Sequence, residues 1–262
     1  MKIIKSLLSD MNTGIWFLSK PKFYFYFFFL FRNKFLPNKD SKIYKKKSFE
    51  WCKKNQISIN EFASKKNIKI YNFIDRIYST KNFLNVIKKI NSSKTNFGGS
   101  AYLDLVYSIC ECYKVINAIE TGVAYGWSSS SILLSLSKRN GKLVSTDMPM
   151  IKQNNYELIG VAVSKSLQQY WKLIKEPDIY GLYKALEFID YNYNFVHYDS
   201  DKSYYGRRWS FPKLYRYLNN GGVFISDDIQ DNLYFADFVT KLNLEFYVIK
   251  FENKFVGIFF KK

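Results

Sequence analysis

From residue 101 onward, short apolar runs alternate with longer stretches of helical character. Residues 115–119 (VINAI), 142–146 (KLVST), 171–174 (WKLI), 193–198 (YNFVHY) and 223–226 (VFIS) are four to six residues long and rich in β-branched and aromatic side chains. Runs of that length and composition predict buried strands. Between them, residues 132–136, 161–170, 180–188 and 211–218 predict helices, the first opened by Ser128 to Ser131 and the last stopped by Asn219-Asn220-Gly221-Gly222. Residues 101–113 predict a helix before the first strand, 150–160 a polar loop, and 231–241 a last helix. Residues 246–251 and 255–260 then alternate about Asn253 as a hairpin. Strands separated by helices, closed by an antiparallel pair, describe an α/β fold with a mostly parallel sheet.

The first 95 residues read differently. Residues 48–54 and 57–66 predict short helices, and 68–89 are helical in part. Residues 23–31 (FYFYFFFLF) sit between Lys20 and Lys22 on one side and Arg32 and Lys34 on the other. Nine apolar residues fall short of the ~20 that a membrane-crossing helix needs, and RNKFLPNK after them holds no signal-peptide cleavage pattern. Aromatics bracketed by cations suit a membrane interface, and they equally suit a segment packed on the core. Residues 91–100 (NSSKTNFGGS) form a polar, glycine-containing break. This predicts a division into a basic N-terminal segment, 1–95, and an α/β domain, 96–262.

Charge supports that asymmetry. The chain of 262 residues has a net charge of +18, and residues 1–95 hold 21 Lys and Arg against 5 Asp and Glu, a net +16. A basic face of that kind attracts anionic lipid or nucleic acid. Since no nucleic-acid-binding motif accompanies it, an anionic membrane surface is the preferred partner. Three cysteines without a C-x-x-C pair argue against a zinc site or disulfide framework and fit a reducing cytoplasm. The expected place is therefore cytoplasmic, peripheral to the inner membrane face.

The chemistry concentrates where strands end. The first predicted strand runs into Glu120, then Gly122 and Gly126 frame a turn before Ser128. Glycines let a backbone approach a ligand closely, and free N–H groups at a helix start favour anionic groups. The spacing is E-x-G-x-x-x-G rather than the dinucleotide G-x-G-x-x-G. Asp147 ends the second strand about 20 residues beyond the glycines, a position suited to ribose hydroxyls. Asp199 follows the fourth strand, and Asp227-Asp228 the fifth. Carboxylates converging on one rim need neutralising charge, from a ligand or from a divalent cation such as Mg²⁺.

ETGVAYGWS, LVSTD, HYDSDK and GGVFISDD together resemble the catechol-type metal-dependent O-methyltransferases and the related macrocin-type sugar O-methyltransferases, class I enzymes that use S-adenosylmethionine (SAM). The resemblance covers roughly residues 100–262. It implies a doubly wound Rossmann-like sheet with an antiparallel C-terminal hairpin. It implies SAM bound by Glu120, Gly122, Ala124, Gly126, Ser128 and Asp147, and Mg²⁺ held by Asp199, Asp227 and Asp228. It puts Lys202 in the place of the general base, with Asp199 beside it. The implied reaction is in-line methyl transfer to a hydroxyl of a small molecule or glycan, its pKa lowered by the metal. Lys202 would serve as base if its own pKa were depressed.

Two other readings compete. Asp199-Ser200-Asp201 is a D-x-D of the kind that holds the metal of a nucleotide sugar, which suggests a glycosyltransferase. A non-catalytic protein that keeps the fold at a membrane is the other. His197, alone in a strand, is read as a core residue, and Arg207, Arg208 and Trp209 either meet the substrate or pack.

Overall fold

The computed structural model describes residue 17 and residues 19–73, 81–93, 96–97, 99–148 and 156–262. Much of the lysine-rich start (1–16), the middle of the predicted 68–89 helix, part of the 91–100 break and the first half of the 150–160 loop lie outside these residues.

One eight-stranded sheet organises them. Its strands are β1 (Gln56–Ile57), β2 (Asn117–Thr121), β3 (Lys142–Thr146), β4 (Trp171–Ile174), β5 (Tyr193–Tyr198), β6 (Leu218–Ser226), β7 (Phe246–Phe251) and β8 (Lys254–Phe260), in the order β1-β7-β8-β6-β5-β2-β3-β4. Pairing is parallel from β6 through β5, β2 and β3 to β4, and antiparallel on both sides of β8. The expected mostly parallel, doubly wound sheet with its closing hairpin is therefore present. The strand order reverses between β2 and β5, so a crevice opens beyond the carboxyl ends of these two.

Alternation along the strands builds two apolar layers. Ile119, Val144, Val196 and Phe224 face α7 (Asp178–Phe188), α8 (Tyr204–Tyr217) and α9 (Tyr234–Lys241). Ala118, Leu143, Phe195 and Val223 face α5 (Leu103–Cys112) and α6 (Trp127–Leu136). Before these come α1 (Tyr24–Asn33), α2 (Lys42–Asn55), α3 (Ile59–Lys66) and α4 (Lys81–Ser92).

The N-terminal segment shares this core. Cys52 of α2 is fully buried in one layer and Phe62 of α3 in the other, so the two helices straddle the β7 edge while β1 extends the sheet there. Trp51 stacks on Phe246 at 5.4 Å, and the Ser48 hydroxyl donates to the carbonyls of Ile229 (3.0 Å) and Asn232 (2.8 Å). Residues 48–62 of the basic segment therefore pack into the same two layers as the α/β sheet.

Several local expectations differ. The serines do not cap α6: Gly126, at φ 87°, is the cap residue, and Ser129 and Ser130 sit inside the helix and fasten it to Glu120 and to the Ala162 carbonyl. Residues 219–222 do not stop a helix but belong to β6, where Gly221 N–H donates to the Lys261 carbonyl and the pairing with β5 shifts register. α8 starts seven residues before the predicted position because Ser203 caps it, its side chain accepting from Gly206 N–H. The predicted helix 161–170 reduces to a 3₁₀ segment, Lys165–Tyr170.

Candidate active site

The crevice at the strand ends is a cleft of about 820 Å³, within the range of small-molecule sites. Gly122 and Ala124 of the β2–α6 turn, Asp147 after β3, Asp199 to Ser203 after β5, and Asp228 after β6 line it. Four segments thus converge, as strand polarity requires.

The glycines are there first for the fold. Gly122 has φ 79°, and a Cβ on it would lie 2.4 Å from the Asp199 backbone oxygen. Gly126 has φ 87°, and its Cβ would lie 2.8 Å from Gly160 Cα. Gly126 and Ser128 do not line the cleft; they seat α6 behind it.

Asp147 lines the cleft after β3. Its Oδ2 accepts the Val123 N–H at 2.9 Å and the Ala124 N–H at 2.7 Å, which fixes the turn and aims the carboxylate along the cleft wall. Burial raises its pKa to about 6, and these two N–H donors hold back a larger rise.

Glu120 stands elsewhere. It is fully buried beneath the cleft, with Oε2 accepting from Ser129 (2.5 Å) and Ser145 (2.8 Å). Its other oxygen faces His197 Nδ1 at 3.4 Å, and His197 Nε2 faces Asp227 Oδ1 at 3.7 Å. All three side chains are at most 1% exposed. Burial alone would lower the His197 pKa, but Asp227 and Glu120 outweigh it and raise it to about 10. Burial likewise opposes ionisation of Asp227, yet His197 on one side and Lys254 on the other leave its pKa below the ordinary value. Glu120 and Asp227 therefore anchor a buried cation instead of meeting a ligand directly. His197 is a core residue, as its place in a strand indicated, and a charged one.

The outer carboxylates also have a cation. Lys202 Nζ lies 2.8 Å from Asp199 Oδ1 and donates to Asp228 Oδ2. Burial lowers the Lys202 pKa, but Asp199 and Asp228 reverse the effect and raise it above the usual lysine value. A base role for Lys202 needed the opposite shift; in this arrangement the two carboxylates favour its ammonium form. Burial and Asp227 push the Asp199 carboxyl up to about 6 despite Lys202.

This arrangement bears on Mg²⁺. Asp227 is turned inward to His197 and Lys254, while Lys202 stands between Asp199 and Asp228. The three carboxylates accordingly do not fit one divalent ion as they stand, and among the described residues no group of three His, Cys, Asp or Glu is arranged to hold a metal. The D-x-D likewise divides, because the Asp201 carboxylate turns to the Ser203 N–H at the start of α8 (3.0 Å).

Several cleft residues escaped the sequence reading. Asp178 accepts from Thr146 (3.0 Å) and from Ser200, and burial raises its pKa to about 7 against those two hydroxyls. Its signal was only an Asp after Pro177 at a helix start. Tyr26, Phe29 and Leu30 wall the cleft from the distant α1, alongside Trp209. Arg207 is fully buried and donates to the carbonyls of Asp227 (2.9 Å) and Asp228 (2.8 Å), so it packs and pins the β6 tip, where Asp228 has φ 51°.

A family model described as "Methyltransferase domain" matches residues 119–229, from β2 through the Asp227-Asp228 turn. No curated protein sequence matches the chain. Among solved structures, an O-methyltransferase from Bacillus cereus in complex with SAH aligns with a TM-score of 0.56 at 13% identity, over 70% of this chain and 92% of that one. The O-methyltransferase TomG from Streptomyces achromogenes, involved in tomaymycin synthesis and in complex with SAM, aligns at 0.53 and 13% over 77% and 95%. An SAH-bound methyltransferase from Podospora anserina aligns at 0.53 and 11% over 87% and 98%. At such identities these alignments establish the shared fold. Residues 119–229 thus match a methyltransferase domain on the segment that builds the cleft, and the chain has the Rossmann-like fold that these O-methyltransferase structures share.

Proposed function

We propose that the cleft binds SAM along Gly122, Ala124 and Asp147 and transfers its methyl group to a hydroxyl of a small molecule or glycan held near Asp199, Lys202 and Asp228. The observation that carries this reading is Asp147. Two N–H groups of the glycine turn fall on its Oδ2, so the turn and the carboxylate form one preorganised unit on the cleft wall. Ribose hydroxyls complete such a unit. Asp178 offers a second carboxylate on the same wall.

SAM, when bound, supplies a methyl made electrophilic by its sulfonium. The chain supplies position and charge. Lys202 stays protonated and faces the acceptor side, where an ammonium stabilises a hydroxyl oxygen gaining negative charge. Asp199, with its pKa near 6, accepts the hydroxyl proton; a base of that pKa works well at neutral pH. Trp209 and the α1 aromatics exclude water from this end. Three free cysteines fit a cytoplasmic setting.

Calorimetry with SAM, and with a nucleotide sugar, tests the ligand. Micromolar binding of SAM alone supports this reading; binding of the nucleotide sugar alone rejects it. Methyl transfer to a panel of hydroxylated acceptors, run with and without EDTA, tests the chemistry. Activity that survives EDTA supports the Lys202 arrangement. Activity lost in EDTA and restored by Mg²⁺ would instead mean that the ion displaces Lys202 from Asp199 and Asp228. Binding without any turnover would point to the non-catalytic alternative.

A further inference from the structure

α1 has two unlike faces. The inner face carries Tyr26, Phe29 and Leu30, which wall the cleft. It is held in place by Tyr26 N–H, which donates to the Tyr180 hydroxyl of α7 at 3.1 Å, and by Phe17, buried against Tyr26 and Phe27 at 5.9 and 5.5 Å between ring centroids. The outer face repeats at helical spacing through Phe25, Phe28, Phe31 and on to Phe35, which are 64, 62, 50 and 75% exposed. Three phenylalanines on one side of a fixed helix and a fourth in the turn after it make an apolar patch that water alone does not favour. Lys20, Lys22 and Arg32 stand exposed around it, and residues 19–39 contain five Lys and Arg with no Asp or Glu.

We propose that the outer face of α1 docks on an anionic lipid bilayer, so that the helix roofing the cleft lies at the headgroup level. Charge selects this occupant. A second copy would bring one strongly positive patch against another, whereas an anionic bilayer receives both the rings and the cations. The helix is too short to cross a membrane, and among the described residues no helix is long and apolar enough to do so, which leaves the interfacial position. A consequence follows if the methyl-transfer reading holds. The acceptor would then be an amphiphile whose hydroxyl enters under α1 while its apolar part stays in the bilayer.

Flotation of the full chain tests docking, using phosphatidylcholine vesicles with and without phosphatidylglycerol. Wild type should float only with phosphatidylglycerol, and less so in high salt. Phe25→Ser/Phe28→Ser/Phe35→Ser should abolish flotation. Lys20→Gln/Lys22→Gln/Arg32→Gln should weaken it on the order of 100-fold. These residues lie outside the cleft wall, so both variants should keep wild-type circular dichroism and SAM affinity. Equal flotation with both vesicle types, no flotation of wild type, or an aromatic variant that floats like wild type would each overturn the proposal. So would a wild-type dimer in light scattering that the aromatic variant dissociates. None of these readouts requires methyl transfer, so failure here leaves the proposed reaction standing, and failure to bind SAM leaves docking standing.

Discussion

A Cβ placed on Gly122 would lie 2.4 Å from the backbone oxygen of Asp199. The turn after β2 and the tip of β5 are thus in backbone contact at the point where the sheet order reverses. On the proposed reading, the cofactor side and the acceptor side of the cleft share that seam. Gly122→Ala adds a side chain at φ 79° and forces the two backbones apart. It should destabilise the fold by about 2–5 kcal/mol, as strain at positive φ and overpacking add. Urea unfolding measures this; a loss below about 0.5 kcal/mol would mean that the seam yields without cost.

Asp147 should control SAM affinity through its charge. Its carboxyl has a pKa raised to about 6 by burial, so it is ionised at pH 7.5 and largely protonated at pH 5. Ribose hydroxyls donate to the ionised form. Affinity should therefore fall about tenfold per pH unit below 6. Asp147→Asn should bind on the order of 10–100-fold more weakly at pH 7.5 and lose that pH dependence. Calorimetry between pH 5 and 8 decides; a wild-type affinity independent of pH would remove Asp147 from the ribose role.

Lys202 should matter for transfer and not for cofactor binding. Lys202→Met removes the ammonium between Asp199 and Asp228. Transfer should drop on the order of 100-fold or more, as when a donor to a developing oxyanion is lost, with SAM affinity within about threefold. Because Lys202 is held protonated, the rate should show no rising limb near pH 9–10 of the kind that a lysine base produces. A pH–rate profile with such a limb would restore Lys202 as the base.

His197 should make stability fall at high pH. Its folded pKa is about 10 against an ordinary 6.5, so its contribution is complete below 6.5 and is lost as pH rises through about 10. Melting temperature followed from pH 6 to 10 should decline, and His197→Gln should flatten that decline while lowering stability at pH 7. A mutant curve parallel to wild type would show that the imidazole between Glu120 and Asp227 is neutral.

Arg207 should hold the β6 tip. Arg207→Met leaves the Asp227 and Asp228 carbonyls without their guanidinium donor beside a residue at φ 51°. A loss of about 2–4 kcal/mol is expected from unsatisfied buried groups. A wild-type unfolding midpoint would show that the turn holds itself.

The sequence by itself determined the succession of strands from residue 117 onward, though β6 starts five residues earlier than its apolar run, together with their mostly parallel character, the closing hairpin, and that Gly122, Asp147, Asp199 and Asp228 share one rim. These follow from local period and from strand polarity, which sends every strand's last residue to the same edge. It could not determine which way a rim carboxylate points. Glu120 and Asp227 end strands just as Asp147 and Asp199 do, yet His197 draws both inward, because an imidazolium buried between adjacent strands needs counter-charge more than the cleft does. Lys202 was likewise legible as a position and not as a charge state, which two carboxylates from different segments set. The place of residues 23–66 was undecided for the same reason: apolar side chains declare that they will be buried or docked, and only the folded edge at β7 and the open side of the cleft decided that α2 and α3 close the sheet while α1 roofs the site.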